Sequence, residues 1–139
     1  MRSISVCNII NQRILNKVLR ITYDLKHLTP DRSKHFSFLV RKNNIISVGY
    51  NSFKTHPKSL KFRYYKNHTH SELACILNAD KIDKKCSLIN IRIDKKDKIL
   101  LSKPCEKCQD LLYHYGINDV IYSYEKGFKC MKIHNTKMI

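Results

Sequence analysis

The sequence predicts a single α/β domain in which helices cover a mixed sheet of five strands. Three observations predict it: apolar residues recur at helical spacing near the amino end, short β-branched and aromatic runs follow at strand length, and two stretches with helical starts interrupt those runs. At 139 residues the chain makes one compact domain, residues 1–139, with enough interior for a buried sheet.

Taken in order, Ile10, Ile14, Val18, Ile21 and Leu25 mark an amphipathic helix that ends before Thr29-Pro30 and should cover one face of the sheet. Phe36 to Arg41 and Ile45 to Tyr50 are predicted strands, joined by a turn at Lys42-Asn43-Asn44. Asn51 to Thr69 is a long loop. Ser71 to Asp80 is a helix with Leu73, Ile76 and Leu77 on its buried side, and Cys75 on that side reads as a small core residue. Cys86 to Ile93 is a third strand, Asp94 to Lys98 a charged turn, and Ile99 to Ser102 brings the chain back. A second short helix, Cys105 to Tyr115, should stop at Gly116 in the left-handed cap position. Val120 to Tyr124 and Phe128 to Ile133 complete the sheet; only Glu125-Lys126-Gly127 separates them, too short for a parallel crossover, so they should form an antiparallel hairpin.

The chain carries 27 basic against 11 acidic residues, a formal charge of +16, and polyanions are the natural partners of such a surface. A chain rich in Lys, Asn and Ile through AT-rich coding would be basic without that reason. Six cysteines at irregular spacing, with no apolar leader and no run of eighteen apolar residues, predict a cytoplasmic protein (host cytoplasm if viral), without disulfides and not bound to a membrane.

The chemistry concentrates in His70-Ser71-Glu72 and Pro104-Cys105-Glu106-Lys107-Cys108. Cys105 and Cys108 stand at i,i+3, so a helix beginning near Pro104 puts both sulfurs on one face of its first turn. His70 adds a neutral third ligand, and a zinc site with three protein ligands keeps a fourth position open for water. Glu72, two residues from the histidine, is placed to handle that water's proton. Helix starts at both motifs favour the ionised cysteines. A lone CxxC would equally suit a redox pair or half of a structural zinc site. His68 lacks a following Glu and reads as a loop or substrate contact.

This H-x-E and P-C-x-x-C pair, here HSE and PCEKC, resembles the zinc-dependent cytidine/nucleotide deaminase superfamily over roughly Phe36 to Tyr124. The resemblance implies a three-layer α/β/α sandwich, one Zn²⁺ per chain on His70, Cys105 and Cys108, and Glu72 as general acid/base. It also implies substrate contacts from Asn51, Ser71, Ser102, Lys103, Pro104 and Tyr124. Lys54-Thr55-His56-Pro57 and Leu101-Ser102-Lys103 resemble small deaminases of viral type. The tail hairpin is similar to free-nucleoside and toxin-type deaminases, whereas the tRNA, dCMP and vertebrate polynucleotide enzymes place a helix there. The free-nucleoside enzymes, however, carry Asn-x-Glu where this chain has Asn51-Ser52-Phe53.

The expected reaction is hydrolytic deamination of cytosine to uracil in single-stranded or flipped-out DNA or RNA. The polymer would be gripped by the loop before His70, where Lys54, His56, Lys58, Lys61, Arg63, Lys66 and His68 alternate with Phe62, Tyr64 and Tyr65. A solvated basic lid is the plain alternative for that loop. Two other functions fit the same residues: a deaminase of free cytosine nucleotides such as dCMP, and a non-catalytic nucleic-acid-binding module with a structural zinc. Cytosine against adenine, and the oligomeric state, stay open at this point.

Overall fold

A computed structural model of the chain describes residues 11–29, 33–52 and 70–133. Its elements are α1 (Gln12–Leu25) with a 3-10 turn after it (Lys26–Leu28), β1 (Lys34–Arg41), β2 (Asn44–Tyr50), α2 (Ser71–Asn78), β3 (Cys86–Ile93), β4 (Ile99–Leu100), α3 (Glu106–His114), β5 (Asp119–Tyr124) and β6 (Gly127–Lys132). Among the described residues they form one mixed sheet in the order β2-β1-β3-β5-β6, with the two-residue β4 on β3 as a sixth strand. The five expected strands are present and end within two residues of where the sequence put them. The tail is an antiparallel hairpin, Val120 opposite Met131 and Ser123 opposite Phe128.

Local chemistry explains the element ends. The Asn11 side chain accepts from the Ile14 N–H at 3.0 Å and caps α1. Lys42 and Asn43 both have positive φ, 51° and 64°, so the β1–β2 connection is a tight turn whose twist matches the strands it joins. At the end of α3, Gly116 takes φ 78°, its N–H bonds the Tyr113 carbonyl at 3.0 Å and the Ile117 N–H bonds Leu112 at 3.0 Å. That is the left-handed cap the glycine predicted.

Alternation along the strands splits the interior into two cores. Phe36, Phe38, Val40, Ile89, Ile91, Ile121 and Phe128 face α1 and pack with Ile14, Leu15 and Val18. Leu39, Leu88 and Val120 face the other way, against Leu73, Cys75 and Ile76 of α2 and Cys108, Leu111 and Leu112 of α3. The layers are therefore α1, sheet, and α2 with α3, as the amphipathic helix and the two motif helices required. Leu77, expected in this core, is half-buried at its edge. Ser37 and Asn90 lie on the same sheet face as α2 and α3, polar residues within otherwise apolar runs.

One expectation is overturned. Cys130 of β6 is disulfide-bonded, whereas Cys75, Cys86, Cys105 and Cys108 are in no disulfide. Spacing along the chain does not report which cysteines meet in space, because disulfide geometry depends on Cα separation and direction. Among the described residues no helix is long and apolar enough to cross a membrane.

The contact between β2 and α2 positions the first motif. Ser47 Oγ donates to the Cys75 carbonyl at 2.6 Å, and Asn78 Nδ2 donates to the Val48 carbonyl at 2.9 Å. Gly49 lets the helix come this close: a Cβ there would stand 2.2 Å from the Cys75 nitrogen and 2.6 Å from the Ser71 oxygen, both backbone atoms. Neither can rotate aside. Gly49→Ala should therefore push α2 off the sheet, costing about 1–3 kcal/mol or more by overpacking. A urea unfolding midpoint clearly below wild type, with lower zinc content because His70 moves with the helix, is the expected result.

Candidate active site

His70 and Cys105 are the N-cap residues of α2 and α3, and Cys108 sits one turn into α3. Both helices thus point their partially positive ends at the same place, which favours anionic sulfur there. Cys108 Sγ lies 3.4 Å and Cys105 Sγ 4.0 Å from His70 Nδ1, and the three ligand atoms lie within 4.8 Å of one another. Zn–S and Zn–N bonds of about 2.3 and 2.0 Å in a tetrahedron separate two sulfurs by roughly 3.8 Å and a sulfur from a nitrogen by roughly 3.5 Å. The donor set and its spacing fit zinc after a small contraction.

The electrostatics of the cluster agree. The Cys105 thiol is brought down to about 4 by the hydrogen bond from Cys108, against burial, with further help from His70 and the Cys108 backbone N–H. Burial alone would lower the pKa of His70, but its hydrogen bond with Cys105 and the charges of Glu72 and Cys105 leave it raised. Cys75, three residues from Glu72 in α2, is pushed the other way: burial raises its thiol to about 12 despite a hydrogen bond with Ser47. Two cysteines close in sequence to the motifs are thus held in opposite states, one a ready ligand and one inert.

Glu72 is buried in the first turn of α2. Its Oε2 accepts from Asn90 Nδ2 at 2.8 Å and its Oε1 from Ser71 Oγ at 3.3 Å. A cavity of about 260 Å³ opens above it, lined by Ser33, His35, Asn51, Ser52, His70, Ser71, Glu72, Ser102, Lys103 and Cys105. Ser71, Glu72 and Ser102 are the buried part of this lining, and Lys103 and Cys105 its exposed part.

The structure brings the residues that the sequence singled out together unevenly. Asn51, Ser71, Ser102 and Lys103 line the cavity with the metal cluster and Glu72. The Asn51 side chain is also tied into the scaffold: Oδ1 accepts from Thr29 Oγ1 and the His35 N–H at 3.0 Å each, and Nδ2 donates to the Ser33 carbonyl at 2.9 Å. Pro104 is buried beside the cluster and accepts from Gln109 Nε2 at 3.0 Å, while Tyr124 carries Lys129 Nζ 4.7 Å over its ring. Neither of these is among the cavity-lining residues. Lys54, His56, Lys58, Lys61, Phe62, Arg63, Tyr64, Tyr65, Lys66 and His68, expected to contact nucleic acid, lie outside the described residues. Ser33, His35 and Ser52 line the cavity without having been anticipated; nor were Asn90, which bonds Glu72, and Ser37, which bonds Asn90, anticipated. For the last two, the available signal was a polar residue breaking an apolar strand.

Ordinary thiols are almost wholly protonated at pH 6, so the metal-free protein treated with iodoacetamide at that pH should be alkylated at exposed Cys105 well before buried Cys75. Zinc should suppress the modification. Peptide mass spectrometry would read both, and equal labelling with and without zinc would contradict the ligand assignment.

Comparison with known proteins agrees with this geometry. The family model for the cytidine and deoxycytidylate deaminase zinc-binding region matches residues 12–124. Among solved structures, the dCMP deaminase of cyanophage S-TIM5, in complex with dCMP and dUMP, superposes with a TM-score of 0.57 at 14% identity, over 81% of this chain and 82% of that one. The cytidine deaminase of Burkholderia pseudomallei gives 0.58 at 11% identity, over 85% and 91%, and that of Mycobacterium leprae 0.52 at 14%, over 84% and 92%. No curated protein matches by sequence. At these identities the structures speak for the fold, while the family model spans most of the chain and both motifs: the protein belongs to the cytidine and deoxycytidylate deaminase family, zinc-dependent hydrolytic enzymes.

Proposed function

We propose that the protein deaminates cytosine carried on a single free nucleotide, converting it to uracil and ammonia. The cavity carries this reading. At about 260 Å³ it lies just below the roughly 300 Å³ at which small-molecule sites start. Among the described residues that line it, Lys103 is the one lysine or arginine. One cation at the exposed side of a small cavity suits one phosphate better than a polyanionic track.

Zinc, when bound to His70, Cys105 and Cys108, supplies a Lewis acid that makes a water nucleophilic near neutral pH. Glu72 accepts a proton from that water and passes it to the ring nitrogen beside C4, so that the ring accepts the incoming oxygen without building up charge. The same carboxylate then carries the second proton to the exocyclic amine. Ammonia leaves, and the water's oxygen remains as the C4 carbonyl. Burial of Glu72 keeps bulk water from competing for these protons.

A second reading, cytosine within single-stranded nucleic acid, is supported by the formal charge of +16 and by the cations and rings alternating between positions 53 and 68. The two separate in one experiment. Zinc-loaded protein is incubated with dCMP, cytidine, and single- and double-stranded oligonucleotides, and uracil is measured by mass spectrometry. Turnover of dCMP is expected. Lys103→Ala should raise KM for dCMP by about 10-fold, as befits a charge-assisted hydrogen bond, and change cytidine turnover by less than about threefold. Conversion confined to oligonucleotides would overturn the free-nucleotide reading and favour the polymer.

A further inference from the structure

Glu72 is held by side chains that neither motif contains. Asn90 stands in the middle of β3 on the face covered by α2, 2% exposed. A buried amide costs about 1–3 kcal/mol unless its polar atoms find partners, and here each does. Nδ2 donates to Glu72 Oε2 at 2.8 Å and to the Ser102 carbonyl at 3.2 Å, while Oδ1 accepts from Ser37 Oγ at 2.7 Å. Ser37 Oγ lies in turn 2.8 Å from Ser71 Oγ. The amide orientation is dictated by these neighbours, since a carboxylate and a carbonyl can only accept and the hydroxyl can donate.

The amide therefore joins three segments: the central strand that carries it, the start of the first motif helix through Glu72, and the approach to the second motif through Ser102. Its strand neighbours show what the position would otherwise hold. Ile89 and Ile91 are fully buried apolar residues, as is Leu88. A leucine at position 90 would have the same number and branching of heavy atoms as asparagine without a donor, so filling the space alone does not account for the amide.

We infer that Asn90 is a positioning residue for the deamination: it pins Oε2 of Glu72 at 2.8 Å, so that Oε1, held only by the longer 3.3 Å contact with Ser71 Oγ, is the oxygen that takes up and releases protons. With one carboxylate oxygen locked, the side chain cannot rotate between two equivalent faces, and the mobile proton stays on the same atom through both transfers. Ser37 acts one step further back by fixing the amide. The inference rests on the role of Glu72 proposed above and holds for a free or a polymeric cytosine alike.

The test compares Asn90→Leu, Ser37→Ala, Glu72→Ala and the Asn90→Leu/Glu72→Ala double variant with wild type, using whichever cytosine substrate wild type converts. Zinc per chain is measured on each. Asn90→Leu should lower kcat per bound zinc by about 10–100-fold, the usual effect of removing a partner that orients an active-site group, and leave KM within about threefold. Ser37→Ala should give the same split with a smaller fall, about 3–10-fold. A merely structural asparagine would lower zinc content and stability together, with kcat per zinc near wild type, and that outcome would overturn the inference. Should the leucine variant not fold, Ser37→Ala decides alone, unchanged kcat per zinc being the overturning result.

Urea unfolding of the same four proteins reads the contact without any turnover. The drop in midpoint caused by Asn90→Leu should be at least halved in the Glu72→Ala background, where no carboxylate is left stranded. Additive drops would also overturn the assignment. Wild-type protein inactive on every cytosine substrate would sink the proposed function instead, and the unfolding series would still report whether Asn90 holds Glu72.

Discussion

Everything at the site depends on where two parallel strands stop pairing. β3 and β5 run side by side from Ser87 opposite Asp119 to Asn90 opposite Tyr122, and no further. Beyond that point β3 takes β4 as its partner, Arg92 opposite Leu100, and the chain from Leu100 to Ser102 runs between the two. Strands that part leave backbone groups to satisfy. Ser102 and Ser123 satisfy them: the Ser102 N–H donates to the Ser123 carbonyl at 2.9 Å, the Ser123 N–H to Ser102 Oγ at 2.8 Å, and Ser102 Oγ to the Asn90 carbonyl at 2.9 Å. The splice delivers Pro104 and the two cysteines to the carboxyl end of the parallel pair, the general place for ligands in open α/β sheets. Close packing of α2 at Gly49 brings His70 and Glu72 to the same end from the other side.

What was legible in the sequence was local. Metal ligands at helix starts are read from spacing because one helical turn fixes their relative position, and a three-residue connection forces an antiparallel hairpin whatever else the chain does. That a helix covers one face of the sheet was legible from the apolar spacing of Ile10 to Leu25. What was not legible depended on meetings between distant segments. Ser33 and His35 reach the cavity because β1 starts beside the end of β2, where the Asn51 N–H bonds the His35 carbonyl at 3.2 Å, and nothing in their own neighbourhood announces it. Asn51 was expected to hold substrate; its side chain, just past the end of β2, ties Thr29, which follows the 3-10 turn, to Ser33 and His35 at the entrance of β1, and the residue also lines the cavity. Asn90 and Ser37 looked like weak points in apolar strands. They are the buried polar pair behind the carboxylate, and a sequence shows such a pair only as an exception to its pattern.

Charge and shape act on different stages of recognition. At the metal cluster two thiolates would balance Zn²⁺, leaving no net positive charge from the metal at the cavity floor to draw in a phosphate. An anionic substrate would have to be drawn from elsewhere, by Lys103 at the exposed side and by the formal charge of +16 spread over the chain. A field from distributed surface charges is screened over about 8 Å at physiological salt, so it acts mainly on encounter. It cannot choose between a nucleotide and a nucleic acid, since both carry the attracting group. Discrimination between them has to come from shape, and so from the cavity and its buried polar floor.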